Sequence, residues 1–156
     1  QYIAVLAGFG GAMAPMYPPE TATYRYQNYG RLLAFKLGGG AVPLPPARQP
    51  QKTPAPPELA DLTPERIQRG AGHFFSLCVF CHGGQGEARL SAYPDLFRMP
   101  SSTHSAFVNI VHGGALASAG MASFADVLSE QDVEDIHAFL VSGQAALYAE
   151  ENAAVD

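Results

Sequence analysis

Both cysteines of the chain fall within five residues, Cys78-Val79-Phe80-Cys81-His82. Two thiols at this spacing, followed at once by an imidazole, are suited to three kinds of chemistry. C-x-x-C-H is the attachment sequence for haem: the thiols add across two vinyl groups and the histidine becomes an axial iron ligand. A structural zinc site would draw on the same thiolates, but it needs four ligands, hence two further Cys or His at knuckle spacing. A thioredoxin-like redox pair would follow a strand in a βαβ unit, whereas the residues before Cys78 read as helix. The surroundings of the motif have to decide.

Thr63-Pro64-Glu65 has the form of a helix start, with Thr as the cap, Pro in the first helical position and an acid in the first turn. Ile67, Ala71, Phe74, Phe75 and Cys78 then recur at helical spacing, so an apolar stripe runs into the cysteine motif. Ser129-Glu130-Gln131-Asp132 reads as a capping box, followed by Val133, Ile136, Phe139 and Leu140 on one face of a last helix. Between the two, Ser102 or Thr103 is placed to cap a short helix carrying Phe107, Ile110 and Val111 and closed by Gly113-Gly114. No strand pattern follows residue 58. The expectation is a mainly α domain of three helices with loops around a prosthetic group, at a size where the added core helps.

Residues 58–148 resemble a class I cytochrome c. In that family a Gly stands eight residues and an aromatic four residues before the first haem cysteine, matched here by Gly70 and Phe74. Ile136 and Phe139 stand at the paired aliphatic and aromatic positions of the C-terminal helix, which crosses closely over the small Gly. Pro94-Asp95-Leu96 matches a Pro-x-Leu twelve residues after the axial His. The resemblance implies haem c bound through Cys78 and Cys81, with His82 on the iron. It also implies that the Pro94 carbonyl accepts the His82 Nδ1–H, which fixes the tautomer and raises the basicity of the ligand.

For the second axial position the helical half offers Met99 and Met121, since Met13 and Met16 precede the Pro-rich stretch. Met121, in Ala119-Gly120-Met121 just before the last helix, occupies the place of the family's distal Met. Met99 reads as packing, for which a flexible thioether is well suited. A thioether ligand favours the ferrous state and raises the potential. His73, His104, His112 and His137 are alternatives for a bis-His iron, but each reads more simply as a surface or capping residue. With both axial positions filled and no Ser-His-Asp order, carboxylate pair or phosphate loop apparent, the chemistry that remains is outer-sphere electron transfer.

Charge and composition bound the rest. Charged residues make up 15% of the 156, against roughly 25% in an average domain. Residues 1–57 carry a balance of +4 and residues 58–156 one of −9, a split that suggests two pieces with different roles. The acidic half disfavours nucleic acid as a partner, because phosphate binding needs a basic surface. Seven prolines fall within residues 43–57, just after Gly38-Gly39-Gly40, so 38–57 reads as an extended, semi-rigid linker. No apolar run reaches the length of a membrane span. The run from Tyr2 to Ala14 ends like a signal-peptide cleavage site but lacks an initiator Met and a basic leading region.

In residues 1–37, Tyr2–Ala7 is a nearly continuous apolar run, as in a strand buried on both faces, and 31–37 alternates as a second strand. Two strands do not make an independent domain. The wording of Val5-Leu6-Ala7-Gly8-Phe9-Gly10-Gly11-Ala12 and of Gly30 to Leu37 resembles the final strands of the β-propeller in type II quinohaemoprotein, pyrroloquinoline quinone (PQQ)-dependent alcohol dehydrogenases. That family's order is propeller end, Pro-rich linker and cytochrome c, here 1–37, 38–57 and 58–156. Phe9 stands where many relatives have Trp, and this chain has no Trp.

The resemblance implies a periplasmic enzyme that oxidises an alcohol at PQQ with Ca²⁺, with electrons passing to haem c and on to an external acceptor. Gly10, Gly11 and Ala12 would lie near PQQ. The catalytic residues belong to the rest of the propeller, so this chain alone would carry only the electron-transfer step and would dock, cleaved or as a separate chain, on that remainder. Two other classes compete: a free-standing periplasmic electron-carrier cytochrome, and a haem-based sensor or peroxidase, which needs an open sixth position.

Overall fold

Near the start of the chain six residues form β1 (Tyr2–Ala7), which pairs antiparallel with β2 (Arg31–Lys36) in the register Tyr2 opposite Lys36 through Ala7 opposite Arg31. These are seen in a computed structural model that describes residues 1–8, 21–27, 30–49, 51–84 and 93–153. Both strands were foreshadowed by their apolar patterns. Tyr2, Ile3, Leu6, Leu32 and Leu37, however, are exposed, so the apolar run of β1 is not covered by anything within the described residues. A short helix, α1 (Ala22–Arg25), lies in the connection.

The Pro-rich stretch is extended but held at both ends. Near its start the Arg31 guanidinium donates to the Pro43 carbonyl at 3.1 Å, and the Gln27 N–H donates to the Pro46 carbonyl at 2.8 Å. Near its end the Thr53 N–H donates to Glu151 at 2.8 Å, and the Pro54 carbonyl accepts from Gln144 at 3.0 Å. Proline keeps its carbonyl while losing its N–H, so such a segment can accept along its length but rarely donate.

The helical half is built on α2 (Pro64–Leu77) and α6 (Glu130–Ala153). Thr63 caps α2, its Oγ1 accepting the Arg66 N–H at 3.3 Å, with Pro64 in the first turn. At the start of α6 the capping box is complete: the Asp132 N–H donates to Ser129 Oγ at 3.2 Å, and the Ser129 N–H donates to the Asp132 carboxylate at 2.9 Å. The two helices meet at Gly70. A Cβ there would lie 2.9 Å from Ile136 N and against the Asp135 carbonyl, so only a hydrogen fits between the backbones. Asp135, side chain 2% exposed, sits beside this crossing between Arg66 Nε at 3.0 Å and Arg69 Nε at 2.7 Å. Burial opposes its charge, but Arg69, Gln131 and Arg66 hold the carboxyl below its ordinary range.

Phe74 on α2, Phe139 on α6 and Phe97 fill the space beside the crossing, their ring centroids 5.3 to 5.7 Å apart. Phe97 belongs to a 3₁₀ turn, Leu96–Arg98, capped by the Asp95 carboxylate. Phe75, expected on the same apolar stripe as Phe74, is 57% exposed and meets the core by its contacts with Phe74 and Phe139.

The middle of the domain differs from expectation. α3 (Val79–His82) continues from α2, and in place of the one capped helix expected further on there are two short pieces, α4 (Ser101–Ser105) and α5 (Phe107–Val111). Ser102 and Thr103 lie inside α4 and cap nothing. The break falls at Ala106, whose backbone leaves helical geometry at φ −100°, ψ 2°. His104 on α4 and Phe107 on α5 both face α6, where they meet His137.

Candidate functional site

The end of α2 passes into α3 without leaving the right-handed helical region at Cys78, whose N–H donates to the Phe74 carbonyl at 2.9 Å. The Cys78 carbonyl in turn accepts from the N–H groups of Cys81 at 3.2 Å and His82 at 3.0 Å. This helical winding puts positions three and four apart on one side, so both thiols and the imidazole can address a single group. Gly83, at φ 70°, then turns the chain away.

One apolar cleft is lined by Cys78, Cys81, His82, Leu96, Phe107, Val111, Met121, Phe124 and Ile136, together with Leu77, Gly120 and Ala122. The structure therefore brings Cys78, Cys81, His82 and Met121 together. His82 Nδ1 lies 3.0 Å from the Pro94 carbonyl. A carbonyl only accepts, so Nδ1 carries the proton and Nε2 keeps its lone pair for a metal. Met121 follows Gly120, whose left-handed φ of 96° makes the turn that delivers the thioether to the cleft. Met99 takes no part in the lining: it is 3% exposed in the core and its carbonyl accepts from Gln144 at 3.2 Å.

These residues fit a covalently held haem better than the other two chemistries. Burial, and then the neighbouring Cys81, push the Cys78 thiol up to about 11, opposite to the depressed values of redox-active thiols. Among the described residues no group of three or more His, Cys, Asp or Glu is arranged to hold a metal ion. An apolar slot with two thiols on one wall, one metal-ready imidazole and one thioether is the donor set that a c-type haem requires.

Of the histidines read as surface or capping residues, two belong to the interior. His104 Nδ1 lies 2.9 Å from His137 Nε2, and His104 Nε2 lies 3.1 Å from Gln144 Oε1. Gln144 Nε2 is already donating to Pro54 and Met99, so its oxygen faces His104, which must donate from Nε2 and accept at Nδ1 from His137. The His137 ring also stacks on Phe107, 4.6 Å between centroids. His73 instead meets Asp132 at 3.2 Å. None of these four is among the cleft-lining residues. A hydrogen-bonded pair separated by 33 positions leaves no local signal in the sequence.

The pair makes stability depend on pH. Burial, then His104, then Arg66 lower His137 from 6.5 to about 4, and burial lowers His104 as well. The unfolded chain thus takes up protons below about pH 6.5 that the folded one refuses, and stability falls as the pH drops from 6.5 towards 4. The His137 drop would be worth about 3 kcal/mol at full burial, and about 1–2 kcal/mol after screening of a partly exposed ring. Denaturant midpoints at pH 7 and pH 5, above the range where carboxylates titrate, are expected to show the loss. Equal midpoints would mean that the pair accommodates a proton without cost.

Gly10, Gly11 and Ala12, expected near PQQ, lie outside the described residues, as does Phe9.

Comparison with known proteins gives the site its context. Residues 65–140 match the family model described as cytochrome C oxidase, cbb3-type, subunit III. The chain is 35% identical over 142 residues to quinohemoprotein alcohol dehydrogenase ADH IIB of Pseudomonas putida, covering 91% of this chain and 20% of that protein. It is 34% identical over 150 residues to quinohemoprotein alcohol dehydrogenase ADH-IIG of the same organism, covering 96% of this chain and 20% of that one. Among solved structures it resembles ADHIIG of Pseudomonas putida with a TM-score of 0.76 at 32% identity, over 97% of this chain and 22% of that one. The quinohemoprotein alcohol dehydrogenase of Comamonas testosteroni follows with a TM-score of 0.64 at 28% identity, over 94% and 20%. The chain spans about a fifth of the length of the relatives it matches.

Proposed function

From the premise that this chain is a cytochrome c domain with its preceding ribbon and linker, homologous to the C-terminal part of quinohaemoprotein alcohol dehydrogenases, we propose that it carries electrons from a PQQ site to an external acceptor. The observation that carries the reading is the meeting of Cys78, Cys81, His82 and Met121 in one apolar cleft, with His82 Nδ1 committed to Pro94. When bound, haem c supplies a one-electron iron couple. The chain's own residues do the rest. Cys78 and Cys81 would hold the group by thioether bonds, and His82 would ligate the iron through Nε2 while the Pro94 carbonyl keeps its ring oriented. Met121 would close the sixth position, which excludes small-molecule chemistry and favours the reduced state. Leu96, Phe107, Val111 and Ile136 keep water out, so little solvent has to reorganise when charge moves.

The PQQ, the Ca²⁺ and the alcohol-oxidising residues would belong to the remaining propeller, on which the exposed ribbon β1–β2 docks; Gly10, Gly11 and Ala12 would approach the quinone there. That placement is supported by the similarity running unbroken through ribbon, linker and helical half. A periplasmic location follows from the chemistry, since bacterial covalent haem attachment takes place on that side of the inner membrane.

Substitution of Met121 by Leu tests the axial assignment. The ferric wild-type protein is expected to show the weak far-red absorption of a thioether-bound haem, and Met121→Leu to lose it and to bind carbon monoxide when reduced. A far-red band that persists in the variant would assign the sixth ligand elsewhere. The optical spectrum of the protein expressed together with a PQQ-bearing propeller, with alcohol added, would show haem reduction only if the electron route is as proposed.

A further inference from the structure

A line of charged groups runs from the linker to the axial histidine. The Thr53 N–H donates to one Glu151 oxygen at 2.8 Å, and the other Glu151 oxygen accepts from Arg98 Nη2 at 2.9 Å. Arg98 Nη1 donates to the Asp95 carboxylate at 2.7 Å, whose second oxygen accepts the Phe97 N–H at 3.0 Å. Asp95 directly follows Pro94, whose carbonyl takes the His82 Nδ1–H. The arginine and Asp95 side chains are 6% and 3% exposed, too deep to be a surface ion pair of small consequence.

The Pro94 carbonyl belongs to the peptide plane shared with Asp95, and three contacts settle that plane. The Asp95 side chain caps the 3₁₀ turn, its own carbonyl accepts the Arg98 N–H at 3.1 Å, and Arg98 clamps the carboxylate. A planar guanidinium can bridge Asp95 and Glu151 with two separate nitrogens at fixed angles, which an ammonium cannot do. The last turn of α6 and the end of the linker thereby fix the direction of a carbonyl that sits across the cleft wall from the iron site.

Resting on the reading of His82 as the axial ligand, we infer that Arg98 is a positioning residue for electron transfer, holding the Asp95 corner so that the Pro94 carbonyl keeps its bond to His82 Nδ1–H. A strong Nδ1–H···O bond increases electron donation by the imidazole and stabilises ferric iron. Loosening it raises the midpoint potential. The through-space effect of deleting a cation has the opposite sign, because removing positive charge near the haem stabilises the ferric state and lowers the potential. The two effects can therefore be told apart.

The test compares Arg98→Gln and Arg98→Lys with the wild type in the haem-loaded protein, by midpoint potential and by exchange of the His82 Nδ1 proton in the diamagnetic ferrous state. Arg98→Gln is expected to raise the potential and to speed that exchange at least tenfold. Arg98→Lys keeps the charge but loses one of the two bridges, and is expected to fall between the two. A potential that falls or stays constant in Arg98→Gln, with exchange unchanged, overturns the inference and leaves Arg98 a charge or a stability element only. If Arg98→Gln does not fold, Arg98→Lys decides alone: a wild-type exchange rate there overturns the inference. Failure of the underlying reading looks different, since a wild-type His82 ring without the large ring-current displacement of a haem ligand would remove His82 from the iron before any variant is compared.

Discussion

Serine at both Cys78 and Cys81 is expected to abolish covalent pigment: after denaturation and organic extraction at acid pH, haem should leave the double variant entirely and the wild type not at all. Oxygen in place of sulfur cannot form the thioether, and both thiols lie on the same wall of the cleft. Each single variant should keep one bond and retain pigment, with a ferrous pyridine spectrum displaced towards that of haem carrying an intact vinyl group. Cys78 is buried and Cys81 exposed, so loss of Cys78 is expected to lower stability more as well as removing a bond. Pigment that stays attached to the double variant would require another anchor and would remove the C-x-x-C-H reading.

The second large effect is mechanical. Gly70→Ala is expected to destabilise the helical half by about 3 kcal/mol or more, the upper end for overpacking, read as a fall in the unfolding midpoint of the haem-loaded protein. The added carbon meets backbone, the Asp135 carbonyl and Ile136 N, which cannot rotate out of the way as a side chain can. Separating the helices instead would disturb Asp135 and its two arginine partners, leaving a buried charge poorly paired. Gly72 provides a control on the same helix: nothing lies within 4 Å of a Cβ there, so Gly72→Ala should stabilise by about 0.5–1 kcal/mol from helix propensity. Equal effects of the two substitutions would show that the helices do not cross as closely as described.

How much of this could be read beforehand divides along the range of the interactions. The haem motif, the caps at Thr63 and Ser129 and the apolar faces of α2 and α6 are encoded within a few residues each, and the structure has them where the spacing placed them. The two strands of the ribbon were equally legible. What local pattern could not show is what distant residues make of one another. His104 and His137 look like ordinary polar positions until α4 is folded onto α6, where each satisfies the other. Asp135, among acidic residues at the head of α6, carries no sequence signal of its burial, which depends on Arg66 and Arg69 coming to it from α2. The break at Ala106 was missed for a related reason. Ser102 and Thr103 carry capping side chains, but the helix already starts at Ser101 after Pro100, so they fall inside it. Of the candidate site, Cys78, Cys81, His82, Pro94 and Met121 were chosen from spacing and resemblance, and the fold brings them together. Arg98 and Glu151, which brace the Pro94 corner, are 53 positions apart and had no reason to be associated.

The hydrogen bond from the Thr53 N–H to Glu151 also says where the helical half begins and ends in space. The chain enters at Thr53 and comes back to the same point in the last turn of α6, so the two ends of the described helical half lie side by side. Such a module can be grafted by one seam: inserted into a surface loop of an unrelated host, or recircularised with a short linker and reopened elsewhere, without separating its ends.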